Sequence, residues 1–178
     1  MLKEYYPYEY APGVFAIDYK KLWALGIRGI IFDVDNTLVH HGDDSNPKID
    51  RFFEKLHKMG FKTLLLSDNE KSRVERFNKN IGTLYICDAD KPSPQGYLKA
   101  LELMGLEKKQ TVCIGDQIIT DIRGANNAGI PSILVRFIRL PQEKRIGKRR
   151  YIEYFVMWTW KHSKKYRHRF GNILRSGK

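Results

Sequence analysis

A short apolar run followed at once by two acids most constrains how this chain folds. The run is Gly29-Ile30-Ile31-Phe32, and Asp33 and Asp35 come directly after it. A continuous apolar stretch of this length predicts a buried strand, and open parallel sheets bind ligands at the carboxyl ends of their strands. Two carboxylates two residues apart can hold a cation there and divide nucleophilic attack and proton transfer between them. The alternative is a polar turn that caps a helix, because Asp, Asn and Thr are common in turns.

Three further apolar runs each lead into polar residues suited to phosphate or metal chemistry. They are residues 62–66 before Ser67, Asp68 and Asn69; residues 84–87, followed by Asp90, Lys91 and Pro92; and residues 111–114 before Asp116 and Asp121. The Ser67 hydroxyl can donate to a phosphate oxygen, and Lys91 can neutralise phosphate charge next to a proline that fixes the local backbone. The last two acids can complete a metal shell.

In this order, the four segments resemble the motifs of the haloacid dehalogenase-like (HAD) phosphohydrolases, from about Gly29 to Val135. Finer features resemble the YqeG group of HAD subfamily IIIA, which is similar to mitochondrial phosphatidylglycerophosphate phosphatases. Those features are Gly-Asp-Gln at 115–117, Thr-Asp-Ile-Arg-Gly-Ala-Asn at 120–126 and Gly-Ile-Arg-Gly-Ile-Ile at 26–31.

The resemblance implies a role for each matching residue. Asp33 is the expected nucleophile and Asp35 the expected general acid and base. The expected phosphate-binding residues are Ser67, Asp68, Asn69 and Lys91, and the expected ligands of Mg²⁺ are Asp33, Asp35 and Asp116. Asp121 is a supporting residue that either touches the waters of the metal or orients Lys91.

The chemistry of these residue types agrees with those roles. A carboxylate nucleophile can form an aspartyl phosphate, which divides one difficult displacement into two easier ones. Mg²⁺ prefers an octahedron of hard oxygens and commonly takes only one or two carboxylates, with water and phosphate completing the shell. Phosphoryl transfer requires mainly positioning and charge neutralisation from the protein.

The spacing of apolar residues predicts an α/β fold, a Rossmann-like, doubly wound parallel sheet. Helices are predicted over 47–59, 71–80 and 95–104, and another follows Thr120 and ends at Gly129, before a fifth strand at 131–135. We assign residues 1–28 to an N-terminal aromatic segment that packs on the domain. Residues 29–138 form the HAD-like core, and residues 139–178 a basic, aromatic C-terminal helical tail.

The core is predicted to be capless, which bears on the substrate. Between residues 37 and 47 only a flap-sized loop fits, and a helix and a strand already use the residues between 67 and 91. An open site indicates a substrate that is large or held elsewhere, such as a lipid, a protein or a nucleic acid.

The tail carries nearly all of the net charge. The chain has a formal charge of +12, and residues 139–178 hold 13 Lys or Arg against two Glu, a balance of +11. Residues 151–160 are mainly aromatic and aliphatic with cations on both sides, which is typical of a membrane interface, although a spanning helix needs about 20 apolar residues. We therefore expect reversible attachment to an anionic phospholipid surface.

Two other interpretations of the tail remain open. In one, Tyr151, Phe155 and Trp158 dock the helix on the core of the domain. In the other, the tail binds nucleic acid, which is favoured less because its apolar residues are contiguous rather than dispersed among the cations.

Together these features predict a magnesium-dependent phosphomonoesterase that dephosphorylates phosphatidylglycerophosphate to phosphatidylglycerol at the membrane surface. The alternatives are a phosphatase of nucleic acid ends or phosphoproteins, or a non-catalytic RNA- or ribosome-binding protein with a HAD-like fold. Intact Asp33 and Asp35 argue against the last. Two thiols without a pairing pattern, Cys87 and Cys113, and a start unlike a signal peptide predict a cytoplasmic protein, peripherally bound to the inner face of the cell membrane.

Overall fold

A computed structural model of the chain describes residues 2–139 and 148–175. Its centre is a sheet of six parallel strands in the spatial order β1-β6-β5-β2-β3-β4. The strands are β1 (Glu9–Ala11), β2 (Gly29–Phe32), β3 (Lys62–Leu66), β4 (Leu84–Ile86), β5 (Thr111–Gly115) and β6 (Ser132–Val135). The helices are α1 (Tyr19–Ala24), α2 (Pro47–Lys58), α3 (Lys71–Asn78), α4 (Pro94–Met104), α5 (Arg123–Ala128) and α6 (Lys148–His162).

Strand β2 is the point where the order of the sheet reverses. The chain runs outward from β2 to β3 and β4, then crosses back to β5 and β6 on the other side of β2. All four residues of β2 are buried, as its apolar sequence predicts. In doubly wound sheets the ligand crevice lies outside the carboxyl ends of the strands at this reversal, and Asp33 stands there. The predicted α/β, doubly wound parallel fold is confirmed.

Terminal residues mark where two of the predicted helices begin or end. Asn46 caps α2, since its side-chain oxygen accepts the backbone N–H groups of Lys48 and Ile49, and Pro47 occupies the first turn. The apolar face of α2 is buried as its spacing predicts; it consists of Ile49, Phe52, Phe53 and Leu56. Helix α5 follows a π-helical turn at Ile118–Ile122 and ends at Gly129, whose φ of 75° only glycine adopts readily.

Within residues 2–139 neither insertion point carries a cap domain. Residues 37–46 form a loop before α2, and α3 and β4 occupy the stretch between Ser67 and Lys91. Residues 37–46 are called the flap.

The N-terminal segment contributes a strand that the sequence analysis missed. Glu9–Ala11 extend the sheet by pairing with β6, with Glu9 opposite Ile133. The strand is only three residues long and begins with an acid, so it lacks an apolar run. The Glu9 carboxylate is nevertheless buried, and it lies 2.5 Å from Nδ1 of His168.

Helix α6 docks on the domain, but not through the predicted residues. Val156 and Trp160 are buried, and the indole N–H of Trp160 donates to the carbonyl oxygen of Pro7 at 2.9 Å. Tyr151, Phe155 and Trp158 are 65%, 57% and 60% exposed, so the interpretation that these three dock the helix is wrong. Both sets have helical spacing, and only the fold decides which of them meets the core. None of the described helices has the length and apolar content needed to cross a membrane.

Candidate active site

Three buried carboxylates meet at the carboxyl edge of the sheet. Asp33 follows β2, Asp116 follows the neighbouring strand β5, and Asp121 lies in the π-helical turn after it. One oxygen from each lies within 4.8 Å of the others. The structure thus brings together the predicted ligands Asp33 and Asp116 and adds Asp121, which was predicted only as a supporting residue.

Lys91 lies between two of these acids. Its Nζ atom is 2.7 Å from Oδ1 of Asp33 and 2.8 Å from Oδ1 of Asp121, and its side chain is 5% exposed. Burial would lower the pKa of Lys91, but the negative charges of Asp121 and Asp33 hold it well above its ordinary value. The ammonium group therefore stays charged at the site where a phosphate is expected.

Thr37 joins the two predicted metal ligands. Its hydroxyl lies 2.9 Å from Oδ2 of Asp33 and 3.3 Å from Oδ1 of Asp116, so these two oxygens face the same point. Burial raises the pKa of Asp33 to about 6, and the charges of Lys91 and Asp121 act in opposite directions on it. Burial, with the charges of Asp33 and Asp121, raises the pKa of Asp116 to about 8.

This cluster suits a divalent metal ion. Buried carboxylates crowded together keep their charge only at a cost, which a cation between them would remove. The oxygens of Asp33 and Asp116 beside Thr37 are the hard donors that Mg²⁺ prefers. The residues present therefore fit the expected ion.

Asp35, by contrast, turns its carboxylate away from the cluster. Oδ2 accepts a hydrogen bond from the Asn69 amide at 2.8 Å, and Oδ1 accepts from Arg73 at 3.0 Å and from the backbone N–H of Gly42 at 3.2 Å. Nδ1 of His41 lies 3.2 Å from Oδ2. Burial alone would raise the pKa of Asp35, but these hydrogen bonds and positive charges lower it below its ordinary value.

The predicted phosphate-binding residues after β3 are linked to one another and to Lys91. The Ser67 hydroxyl is buried and accepts the side-chain amide of Asn69 at 2.8 Å. Asp68 is exposed and accepts the backbone N–H of Lys91 at 2.9 Å, which joins the two loops. The side chain of Asp68 therefore holds the loop that carries Lys91.

The contacts that Thr37, Arg73 and Arg150 make with the site were not predicted. Thr37 lies in a sequence that is typical of a polar turn, so nothing marks it as a site residue. Arg73 on α3 donates to Asp35 and, at 2.6 Å, to the carbonyl oxygen of Asp43 in the flap. Arg150 on α6 contacts Asp116. Both arginines lie in ordinary cationic stretches of helix, so nothing in the sequence distinguishes them from solvated charges.

The chain is similar in sequence and in fold to known hydrolases. The sequence profile of the haloacid dehalogenase-like hydrolases matches residues 40–129. The probable phosphatase YqeG of Bacillus subtilis (strain 168) is 36% identical over 137 residues, which are 76% of this chain and 80% of that protein. The chain therefore belongs to the haloacid dehalogenase-like hydrolase family. Within it the chain is a phosphatase, and the resemblance to YqeG is confirmed.

A more distant relative and a solved structure are also similar to the chain. Phosphatidylglycerophosphate phosphatase 1, chloroplastic, of Chlamydomonas reinhardtii is 26% identical over 165 residues, which are 86% of this chain and 61% of that protein, so the chain spans less than two thirds of its length. A HAD-superfamily hydrolase from Ehrlichia chaffeensis superposes with a TM-score of 0.54 at 17% identity, covering 75% of this chain and 97% of that one. The second similarity shows the fold alone.

Proposed function

We propose that the chain is a magnesium-dependent phosphomonoesterase that forms an aspartyl phosphate on Asp33. The observation that carries this proposal is the position of Asp33 in the crevice. One of its oxygens accepts from Lys91 and the other from Thr37, whose hydroxyl also lies 3.3 Å from Oδ1 of Asp116. The expected nucleophile is therefore linked to both the phosphate-binding cation and the expected metal ligand. Bound there, Mg²⁺ would supply charge neutralisation for the carboxylate and for the phosphate oxygens.

The residues of the chain divide the reaction into two steps. A carboxylate oxygen of Asp33 attacks phosphorus while Lys91, Ser67 and Asn69 hold the phosphate oxygens. Asp35 gives a proton to the leaving oxygen, and in the second step it takes a proton from the water that hydrolyses the aspartyl phosphate. The pKa of Asp35 is lowered in the free protein, so the carboxylate is ionised and able to accept a proton from water in the second step. The negative charge of a bound substrate favours the protonated form of Asp35 that the first step needs.

Asp33 and Asp116 are the proposed carboxylate ligands of the ion. For Asp35 to serve as a third, its carboxylate would have to turn away from Asn69 and Arg73. Asp121 already accepts the Gln117 backbone N–H at 3.0 Å and the Lys91 ammonium at 2.8 Å. These contacts favour the role of orienting Lys91 over contact with the waters of the metal.

We further propose phosphatidylglycerophosphate as the substrate and phosphatidylglycerol and phosphate as the products. Three observations support a lipid substrate: similarity to a phosphatidylglycerophosphate phosphatase, an edge of the sheet without a cap domain in residues 2–139, and the outer face of α6. That face consists of the exposed residues Tyr151, Ile152, Tyr154, Phe155 and Trp158. The Phe155 and Trp158 rings lie 6.3 Å apart, and Trp and Tyr side chains favour the headgroup region of a bilayer.

The substrate assignment is tested by comparing phosphate release from four compounds. These are phosphatidylglycerophosphate in anionic vesicles, an aryl phosphate, a 5′-phosphorylated oligonucleotide and a phosphopeptide, each with Mg²⁺ and with chelator. We expect the lipid to have the highest kcat/KM, by at least about tenfold over the oligonucleotide and the peptide. A preference for the oligonucleotide or the peptide would overturn the lipid assignment, and no hydrolysis of any of them would overturn the enzymatic proposal.

A further inference from the structure

Arg150, in the first part of α6, makes a two-point contact with Asp116. Nη1 donates to the backbone carbonyl oxygen of Asp116 at 2.7 Å, and Nη2 donates to Oδ2 of its carboxylate. The Asp116 side chain has no exposed area, and that of Arg150 is 16% exposed. Because the guanidinium is planar and rigid, its contact with the backbone of Asp116 fixes the direction from which Nη2 reaches Oδ2 of the same residue.

Arg150 is itself held in place by its surroundings. Nη1 also donates to Oε2 of Glu153, at 2.8 Å, and Oε1 of Glu153 accepts the backbone N–H of Ile118 at 2.8 Å. The ring of Phe137 lies 4.5 Å from the guanidinium carbon. Glu153 thus ties Arg150 to the turn that directly follows Asp116, so that the arginine and the carboxylate share one rigid support.

The two oxygens of Asp116 consequently face different partners. Oδ2 faces Arg150, whereas Oδ1 lies 3.3 Å from the hydroxyl of Thr37, on the side of Asp33. Asp116 also lies in a cluster in which oxygens of three acids are within 4.8 Å of one another, and a cation beside Oδ2 offsets part of their mutual repulsion.

We propose that Arg150 is a positioning residue for the metal ion: it holds Asp116 so that Oδ1 remains available beside Asp33. This inference rests on the proposed function, because it takes Asp116 as a ligand of the ion. Helix α6 carries both Arg150 and the exposed aromatic face. The proposal therefore makes this helix necessary for the metal site and not only for attachment to a membrane. Partners that orient metal ligands in this way contribute about 10–100-fold to metal affinity.

The test is the affinity of the substrate-free protein for Mn²⁺, a spectroscopic substitute for Mg²⁺, measured by electron paramagnetic resonance and by calorimetry. Arg150→Gln should weaken binding about 10–100-fold. Arg150→Lys should also weaken it by more than about tenfold, because an ammonium keeps the charge but cannot reproduce the planar two-point contact. Arg167→Gln, which removes an exposed arginine on the segment after α6, is the control and should leave the dissociation constant unchanged.

Removing Arg150 leaves Glu153 without its cationic partner, so the double variant Arg150→Gln/Glu153→Gln is measured beside the single one, with the melting temperature of each. The double variant should keep a cooperative transition and still bind Mn²⁺ weakly. Wild-type affinity in the Gln variants, or full recovery in Arg150→Lys, would overturn the positioning role, and tighter binding would show that Arg150 competes with the ion. A wild-type protein that binds no Mn²⁺ would instead refute the metal site of the proposed function, and a wrong substrate would leave these measurements unaffected.

Discussion

Lys91 and Asp121 form an ion pair that is almost completely buried. Their side chains are 5% and 2% exposed, and Nζ lies 2.8 Å from Oδ1. The second oxygen of Asp121 accepts the backbone N–H of Gln117 at 3.0 Å. Asp121 is therefore fixed by the turn after β5, and it in turn fixes the ammonium group that faces Asp33.

Asp121→Asn should weaken the binding of inorganic phosphate. The amide keeps a similar shape but loses the charge that holds Lys91. Of the two carboxylates that pair with the ammonium among the described residues, Asp33 alone then keeps its charge. We expect the inhibition constant of inorganic phosphate to rise about tenfold or more, which is about 1.4 kcal/mol. Glu102→Gln, an exposed acid on α4, is the control, and equal constants in the two variants would contradict the orienting role.

Gly115→Ala should displace Asp121 and so disturb its ion pair with Lys91. A Cβ atom at this last residue of β5 would lie 2.5 Å from Cγ and Oδ2 of Asp121, so Asp121 has to move. Overpacking of this kind costs typically about 1–3 kcal/mol of unfolding free energy, measured by urea denaturation, and activity should fall with it. Wild-type stability together with wild-type activity would mean that Asp121 can be displaced freely.

The sequence predicts most of the fold because its signals are local. β2, β3 and β5 are short apolar runs, and α2 has apolar residues at helical spacing between Asn46 and Gly60. Strand β1 was missed because three residues with an acid in first place carry no such pattern. The choice of the docking face of α6 also could not be predicted, since apolar residues lie on both faces of the helix.

The site shows the same division between local and long-range information. Asp33 and Asp116 each follow an apolar run. Because β2 and β5 are neighbouring parallel strands, their carboxyl ends lie side by side and bring the two acids together. Arg73 and Arg150 reach the site from helices whose positions depend on the packing of the whole chain. Arg73 is 38 residues away from Asp35 in the sequence, and Arg150 is 34 residues away from Asp116. No spacing rule connects such pairs.

The metal-free protein should lose stability as pH rises from 5 to 9. The pKa values of Asp33 and Asp116 are raised to about 6 and about 8 in the folded protein, whereas in the unfolded chain an Asp titrates near about 4. In this range the folded protein therefore binds more protons than the unfolded chain does. The stabilisation that this difference gives is complete below about pH 4, and it is lost as the pH rises through the folded pKa values of about 6 and about 8.

Urea denaturation in the presence of chelator at several pH values measures this loss. Each group contributes a slope of at most about 1.4 kcal/mol per pH unit. Asp116→Asn should flatten the slope between pH 7 and 9, and saturating Mg²⁺ should reduce it in the wild type. An unchanged slope in Asp116→Asn would show that Asp116 does not titrate in this range.

The outer face of α6 should control binding to anionic vesicles. Phe155→Ser and Trp158→Ser should each weaken binding to vesicles that contain phosphatidylglycerol, and added salt should weaken it further by screening the basic residues. Hydrolysis of an aryl phosphate should persist. Trp160 is unsuitable for this test because it is buried, and its replacement by Ala should cost about 3–5 kcal/mol of stability.

Leu103→Ser removes an apolar side chain that is 47% exposed on α4, and it serves as the matched control for vesicle binding. Equal losses in all three variants would mean that exposed apolar area in general, rather than this face, drives attachment. Salt-dependent binding of RNA by the same residues, without binding to vesicles, would support the nucleic acid interpretation instead.

The aspartyl phosphate on Asp33 is the central claim, and it can be trapped directly. Borohydride reduces an acyl phosphate to the alcohol, so quenching a reaction at steady state with borohydride should convert Asp33 to homoserine, which mass spectrometry locates on the peptide that contains residue 33. Asp33→Asn should give no such product and no turnover, while its unfolding transition stays cooperative. Homoserine at another position, or turnover by Asp33→Asn close to that of the wild type, would contradict the mechanism.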